Sequence, residues 1–255
     1  MWSYAQWRRR RLIANSRISE PSWCAAMVHL PLLRALSTEE RVRLQDVATL
    51  FLHEKTFEGA GELVVTDNMR LSVALQACLP ILNLGIEWYR GWTAIVMYPD
   101  SFIPAQTYTD AAGVVHTSRN PLCGEAWLRG PVVLSWSDIE ASGLYGHNLV
   151  IHEFAHKLDM LNGAANGMPP LHRGMDTKTW THDFSQAFAD LQARLARDES
   201  VTPIDPYAAE TPAEFFAVLS ELFFAAPEVV TEHYPSVYRQ LRDFYRQDPA
   251  RRMVG

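Results

Sequence analysis

The chain has 255 residues, of which 48% are hydrophobic, enough to bury a core as one large domain or two small ones. Its formal charge of −6 opposes binding to a polyanion, because affinity for nucleic acid comes from neutralising phosphates with Lys and Arg; direct DNA binding is set aside. The three cysteines, Cys24, Cys78 and Cys123, form no CxxC pair, which argues for a reducing compartment and against a disulfide framework or a cysteine zinc finger.

In chain order, Arg8 to Arg11 form the only long charge run and read as a solvated terminus. No continuous apolar stretch follows them of the kind that a secretory signal or a membrane span requires, so a soluble cytoplasmic protein is expected. Ser37 with Glu40 three residues later is a capping-box pattern, opening a helix that carries Val42, Leu44, Val47, Leu50 and Phe51 inward and ends near Lys55. A second helix fits Met69 to Leu84, closed by Gly85. Strand-like runs rich in β-branched and aromatic residues cover Leu63 to Thr66, Thr93 to Tyr98, Gly113 to Ser118 and Val132 to Trp136. From Asn148 onward the pattern is helical, at about 148–161, 182–197, 212–226 and 235–247. No repeat, low-complexity tract or long linker divides the chain. The expected architecture is α+β in a single domain over 1–255, with a mixed helix and strand part at about 1–147 and a helical part at about 148–255 that carries the chemistry.

The stretch Leu149 to Asp159 contains HExxH, with His152, Glu153 and His156. Chance occurrence in a chain of this length is below about one percent. Residues four apart on a helix lie one above the other, so two imidazoles can converge on one tetrahedral ion while the adjacent Glu reaches a water on it. On a helical wheel Val150, Ile151, Phe154, Ala155, Leu158 and Leu161 fall in one apolar sector, and His152, His156 and Asp159 fall opposite. That opposition favours a metal helix over a pair of ordinary core or surface histidines. Asn162-Gly163 then stops the helix.

A catalytic zinc takes three protein ligands and keeps a fourth position for water, so one ligand must come from elsewhere. Pro212 to Phe224 is apolar almost all round, the mark of a buried helix, with Glu214 and Glu221 on one face. A buried carboxylate needs a partner, and a metal or a metal-bound His is suitable. Thr211 followed by Glu214 is also a capping box with Pro212 at the first helical position. Spacing alone leaves ligand and cap open for Glu214, with Glu221 as the competing ligand.

On Lys55 to Ala60, Leu149 to Asp159 and Pro212 to Ala217, the chain resembles the Mlc titration factor A family of zinc peptidases. The last two segments are also similar to the catalytic domain of anthrax lethal factor, whose HExxH is completed by a Glu in an AEFFA context. The resemblance implies one zinc per chain held by His152, His156 and Glu214. It further implies a catalytic Tyr207, seven residues before Glu214, donating to the oxyanion that forms beside the metal; an ordinary loop aromatic is the alternative. Asp159 is expected to bond a ligand His, with a solvated helix-end acid as its alternative. The implied partner is a glucose-responsive transcriptional repressor, Mlc.

The expected chemistry is hydrolysis of peptide bonds, with zinc lowering the pKa of its water toward about 7 and Glu153 as general base. Val132 to Trp136 is the candidate edge for pairing with an extended peptide substrate. Two functions stand side by side: a peptidase acting on short peptides or an exposed terminus, and a protein that sequesters a repressor with its zinc fold as scaffold.

Overall fold

Two helices precede the first one marked by the sequence pattern: α1 (Tyr4–Ser16) and α2 (Glu20–His29), the latter capped by Ser19, whose hydroxyl accepts from Ser22 N. The computed structural model describes residues 4–100, 106–109, 115–118, 124–126, 130–142, 147–197 and 203–252. Arg8 to Arg11 therefore lie on a helix, with Arg8, Arg10 and Arg11 exposed as a solvated run requires. Arg9 pairs with Glu87, and the Arg11 guanidinium sits 5.4 Å from the centre of the Trp7 ring.

The capping box at Ser37 and Glu40 is formed in both halves and starts α3 (Thr38–Glu54). α3 buries Leu44, Val47, Leu50 and Phe51, whereas Val42 is exposed and not inward as its spacing suggests. The strand that follows is β1 (Thr56–Gly59), and no strand forms at Leu63 to Thr66. Gly61 (φ 57°) and Glu62 (φ 67°) are left-handed and reverse the chain, bringing Leu63 O to within 1.8 Å of where a Cβ on Gly59 would stand. Thr66 is then used as the N-cap of α4 (Asp67–Cys78), accepting from Met69 N. α4 stops well short of Leu84 because Pro80 has no N–H to continue the helical ladder and its ring crowds the preceding turn.

The remaining strands are β2 (Ala94–Tyr98), β3 (Gln106–Thr109), β4 (Val115–Ser118), β5 (Gly124–Ala126) and β6 (Val132–Ser135). One sheet has the order β1-β2-β6-β5, with β1, β2 and β6 parallel and β5 antiparallel to β6. Phe57 faces Ile95, which in turn faces Val132. β3 and β4 pair in a separate antiparallel hairpin. Val132–Ser135 is thus an interior strand, bonded on both sides and buried throughout, and cannot be the edge that accepts a peptide. Among the described strands the edges of this sheet are β1 and β5, and β5 is the one that flanks β6.

Helices then follow: α5 (Trp136–Ala141), α6 (Leu149–Asp159), α7 (Thr177–Ala196), α8 (Pro212–Ala225), α9 (Pro227–His233), α10 (Pro235–Tyr245) and α11 (Pro249–Arg252). Proline opens α8 to α11, where its missing N–H is an orphan donor in any helix. The fold is α+β with a small sheet. One apolar core runs through it, in which Phe154 of α6 touches Phe51 (ring centres 5.6 Å apart) and Tyr89 (5.1 Å). α6 is buried on every side from Val150 to Asp159, so its polar face meets α8 instead of solvent. Leu161 falls beyond its end, in a 3₁₀ turn, and is exposed rather than apolar-facing. No helix among the described residues is long and apolar enough to cross a membrane. Cys24 and Cys78 are free thiols; Cys123 lies outside the described residues.

Candidate metal centre

Asn148 starts the site by capping α6, its Oδ1 accepting from Ile151 N at 2.9 Å. This sets His152 and His156 one turn apart, facing the first turn of α8. Their Nε2 atoms are 3.2 Å apart, and Glu214 Oε2 lies 3.0 Å from the first and 3.2 Å from the second. Ligand atoms of a tetrahedral zinc with bonds of about 2.0–2.1 Å stand roughly 3.3 Å from one another, so the three separations fit such an ion.

The chemistry of the donors points the same way. Nδ1 of His152 is 2.6 Å from Glu221 Oε1, and a carboxylate there accepts the Nδ1 proton and leaves the lone pair on Nε2. That lone pair faces another imidazole nitrogen and a carboxylate oxygen, an arrangement that repels itself until a positive charge, a proton or a metal ion, stands between them. His152, His156 and Glu221 are buried; Glu214 is half-buried.

Only the Thr211 half of the expected capping box forms at Glu214. Its backbone N–H is capped by Thr211 Oγ1 at 3.2 Å, while its carboxylate turns to the histidines. Glu221, two turns further along α8, does not join the cluster. Its second oxygen accepts from Asn148 N at 2.6 Å.

Asp159 is the clear departure. It bonds neither histidine: Oδ2 accepts from the backbone N–H of Asn166 (2.8 Å) and Gly167 (2.7 Å). Gly167 has φ 79°, and a Cβ on it would stand 2.4 Å from Pro212 O. Asp159 thus pins a loop that lies directly on the start of α8, and His156 Nδ1 is buried with no hydrogen-bond partner among the described residues.

Glu153 is buried beside the cluster, and its Oε2 has no partner among the described residues. Burial pushes its carboxyl up to about 7, against the pull of His152 and His156. Tyr207 sits on the 3₁₀ turn Pro206–Ala209, its backbone N–H held by Asp205 Oδ1 at 2.9 Å. Its ring centre is 6.1 Å from that of His152, and partial burial together with the Glu214 carboxylate raises its phenol.

The family model described as glucose-regulated metallo-peptidase M90 matches residues 4–246. The chain belongs to this M90 family. Proteins called Mlc titration factor A from Yersinia pestis (strain Pestoides F) and Yersinia pseudotuberculosis serotype O:1b (strain IP 31758) are each 42% identical to it over 234 residues, covering 91% of this chain and 86% of theirs. Membership of a metallo-peptidase family implies a metal ion. Among the described residues, the trio His152, His156 and Glu214 is the cluster of His, Cys and acidic side chains whose donor atoms converge closely enough to hold one.

Proposed function

We propose that this M90 chain is a cytoplasmic zinc peptidase in which His152, His156 and Glu214 hold one zinc per chain. The observation that carries the reading is the convergence of two Nε2 atoms and one carboxylate oxygen within 3.0–3.2 Å of each other. When bound, zinc supplies Lewis-acid polarisation of a scissile carbonyl and lowers the pKa of water to about 7. Glu153, buried beside the proposed ligands with one carboxylate oxygen unpartnered among the described residues, takes the proton of the attacking water and passes it to the leaving amine. Tyr207 donates its O–H to the oxygen on which negative charge develops. An extended peptide would add to the sheet along β5, the edge strand that flanks β6.

Elemental analysis of the purified protein, and peptide turnover with and without chelator, test this. About one zinc per chain and chelator-sensitive hydrolysis are expected; no zinc, and none taken up on titration, sinks the reading.

A second function rests on the relatives' name, which makes them titration factors of Mlc. We propose binding of an Mlc-type transcriptional repressor as well. Glu153→Gln separates the two, abolishing hydrolysis while zinc and repressor binding persist if the fold acts as a scaffold.

A further inference from the structure

A fully buried amide stands out on α4. The neighbours of Gln76 on that helix, among them Val73, Ala74, Leu75, Ala77 and Cys78, are apolar and have no exposure, and Gln76 shares their burial. Such an amide costs stability unless every polar atom finds a partner. Its Nε2 donates to Ser72 O (3.2 Å) and Ser72 Oγ (3.3 Å), and its Oε1 accepts from Asn148 Nδ2 at 2.8 Å.

Asn148 is equally committed. Its Oδ1 caps α6, its Nδ2 is taken by Gln76, and its backbone N–H donates to Glu221 Oε2 at 2.6 Å. Turning over either amide would lose its bonds on both sides, so each orientation fixes the other. Glu221 then has both oxygens occupied by donors, Asn148 N–H on one and His152 Nδ1 on the other.

Resting on the metal centre proposed above, we infer that Gln76 and Asn148 are positioning residues for it. The chain Ser72–Gln76–Asn148–Glu221 holds the Glu221 carboxylate in the one orientation that accepts from His152 Nδ1. It thereby keeps the Nε2 lone pair aimed at His156 Nε2 and Glu214 Oε2. No member of the chain beyond Glu221 touches a ligand, and none is needed for the helices to form, since a serine caps a helix as well as an asparagine does.

The test measures zinc affinity by competition with a chelator, the visible spectrum after cobalt(II) substitution, and thermal unfolding of the metal-free protein. Gln76→Leu removes the acceptor for Asn148. Asn148→Ser keeps the cap and removes the arm to Gln76, which carries the test if Gln76→Leu does not fold. Each is expected to weaken zinc binding by about tenfold or more and to alter the cobalt spectrum, beyond any change in metal-free unfolding. Gln76→Glu, in its buried protonated form, keeps both a donor and an acceptor and is expected to restore most of the affinity. A parent chain that takes no zinc overturns the metal centre and this inference together. Variants that bind zinc within twofold of a zinc-binding parent, or equal losses in Gln76→Leu and Gln76→Glu, overturn this inference alone.

Discussion

Glu214 and Glu221 stand on one face of α8 and grip opposite nitrogens of the same imidazole, Glu214 at 3.0 Å from Nε2 of His152 and Glu221 at 2.6 Å from Nδ1. Their roles differ accordingly. Glu214→Gln removes the proposed ligand and should lower zinc affinity by well over tenfold, more than Glu221→Gln does. Glu221→Gln must turn an NH₂ toward either Asn148 N–H or His152 Nδ1–H, both donors, and should cost about tenfold. Zinc titration of the two variants decides. Loss in Glu221→Gln with Glu214→Gln unaffected reverses the assignment.

Tyr207→Phe should keep fold and zinc and lose turnover. A donor aimed at developing charge strengthens in the transition state, and losing one typically costs about 10²–10³ in rate, with KM little changed. Steady-state kinetics on a peptide that the parent cleaves well is the measurement; near-full activity makes the residue structural.

Lys55, first residue of the Lys55 to Ala60 phrase, has a structural role that predicts a pH dependence. It is buried, donates to Tyr89 O (2.5 Å) and Trp92 O (2.7 Å), and lies 3.8 Å from the Trp92 ring centre. Burial lowers its pKa from 10.5 to about 8. Between those values the unfolded chain keeps the proton that the folded chain has released, so unfolding takes up a proton and stability rises with pH. Below about 8 both states are charged and the dependence vanishes. The slope from one such group is at most about 1.4 kcal/mol per pH unit. Urea unfolding from pH 7.5 to 10 should show a steeper rise for the parent than for Lys55→Met; parallel curves contradict the burial argument.

Gly167→Ala should destabilise by about 2–3 kcal/mol, because left-handed backbone is strained for alanine and its Cβ meets Pro212 O. The clash falls at the start of α8, so zinc affinity should drop in the same variant. A variant as stable as the parent shows that the loop can move away.

What could be read from the sequence was local. HExxH is a four-residue spacing on one helix, and helix geometry turns it directly into two converging nitrogens. Glu214 is ambiguous in sequence because a capping box and a ligand leave the same pattern; in the structure its backbone N–H is capped by Thr211 and its carboxylate faces the histidines instead of the cap. Pro80 is a sufficient signal in the sequence to end α4 at Cys78. The strand at Val132 was legible, but its interior place depends on partners far away in sequence; its unbroken apolar run, buried on both faces, was the available sign. Gln76 carried no signal, since a buried glutamine in an apolar helix has meaning only once Asn148 is known to face it.

His156 and Glu214 are 58 residues apart, on helices that also meet through apolar contacts, the bonds of Glu221 to Asn148 and His152, and the loop pinned by Asp159. A cation held between them is a removable cross-link, so folding and metal supply become one equilibrium. By mass action, free zinc at about a thousand times its dissociation constant adds roughly 4 kcal/mol to stability, comparable with the whole margin of many domains. Starving a cell of zinc would then remove the protein itself through unfolding and proteolysis, and its abundance would track the metal before its catalytic rate was ever measured.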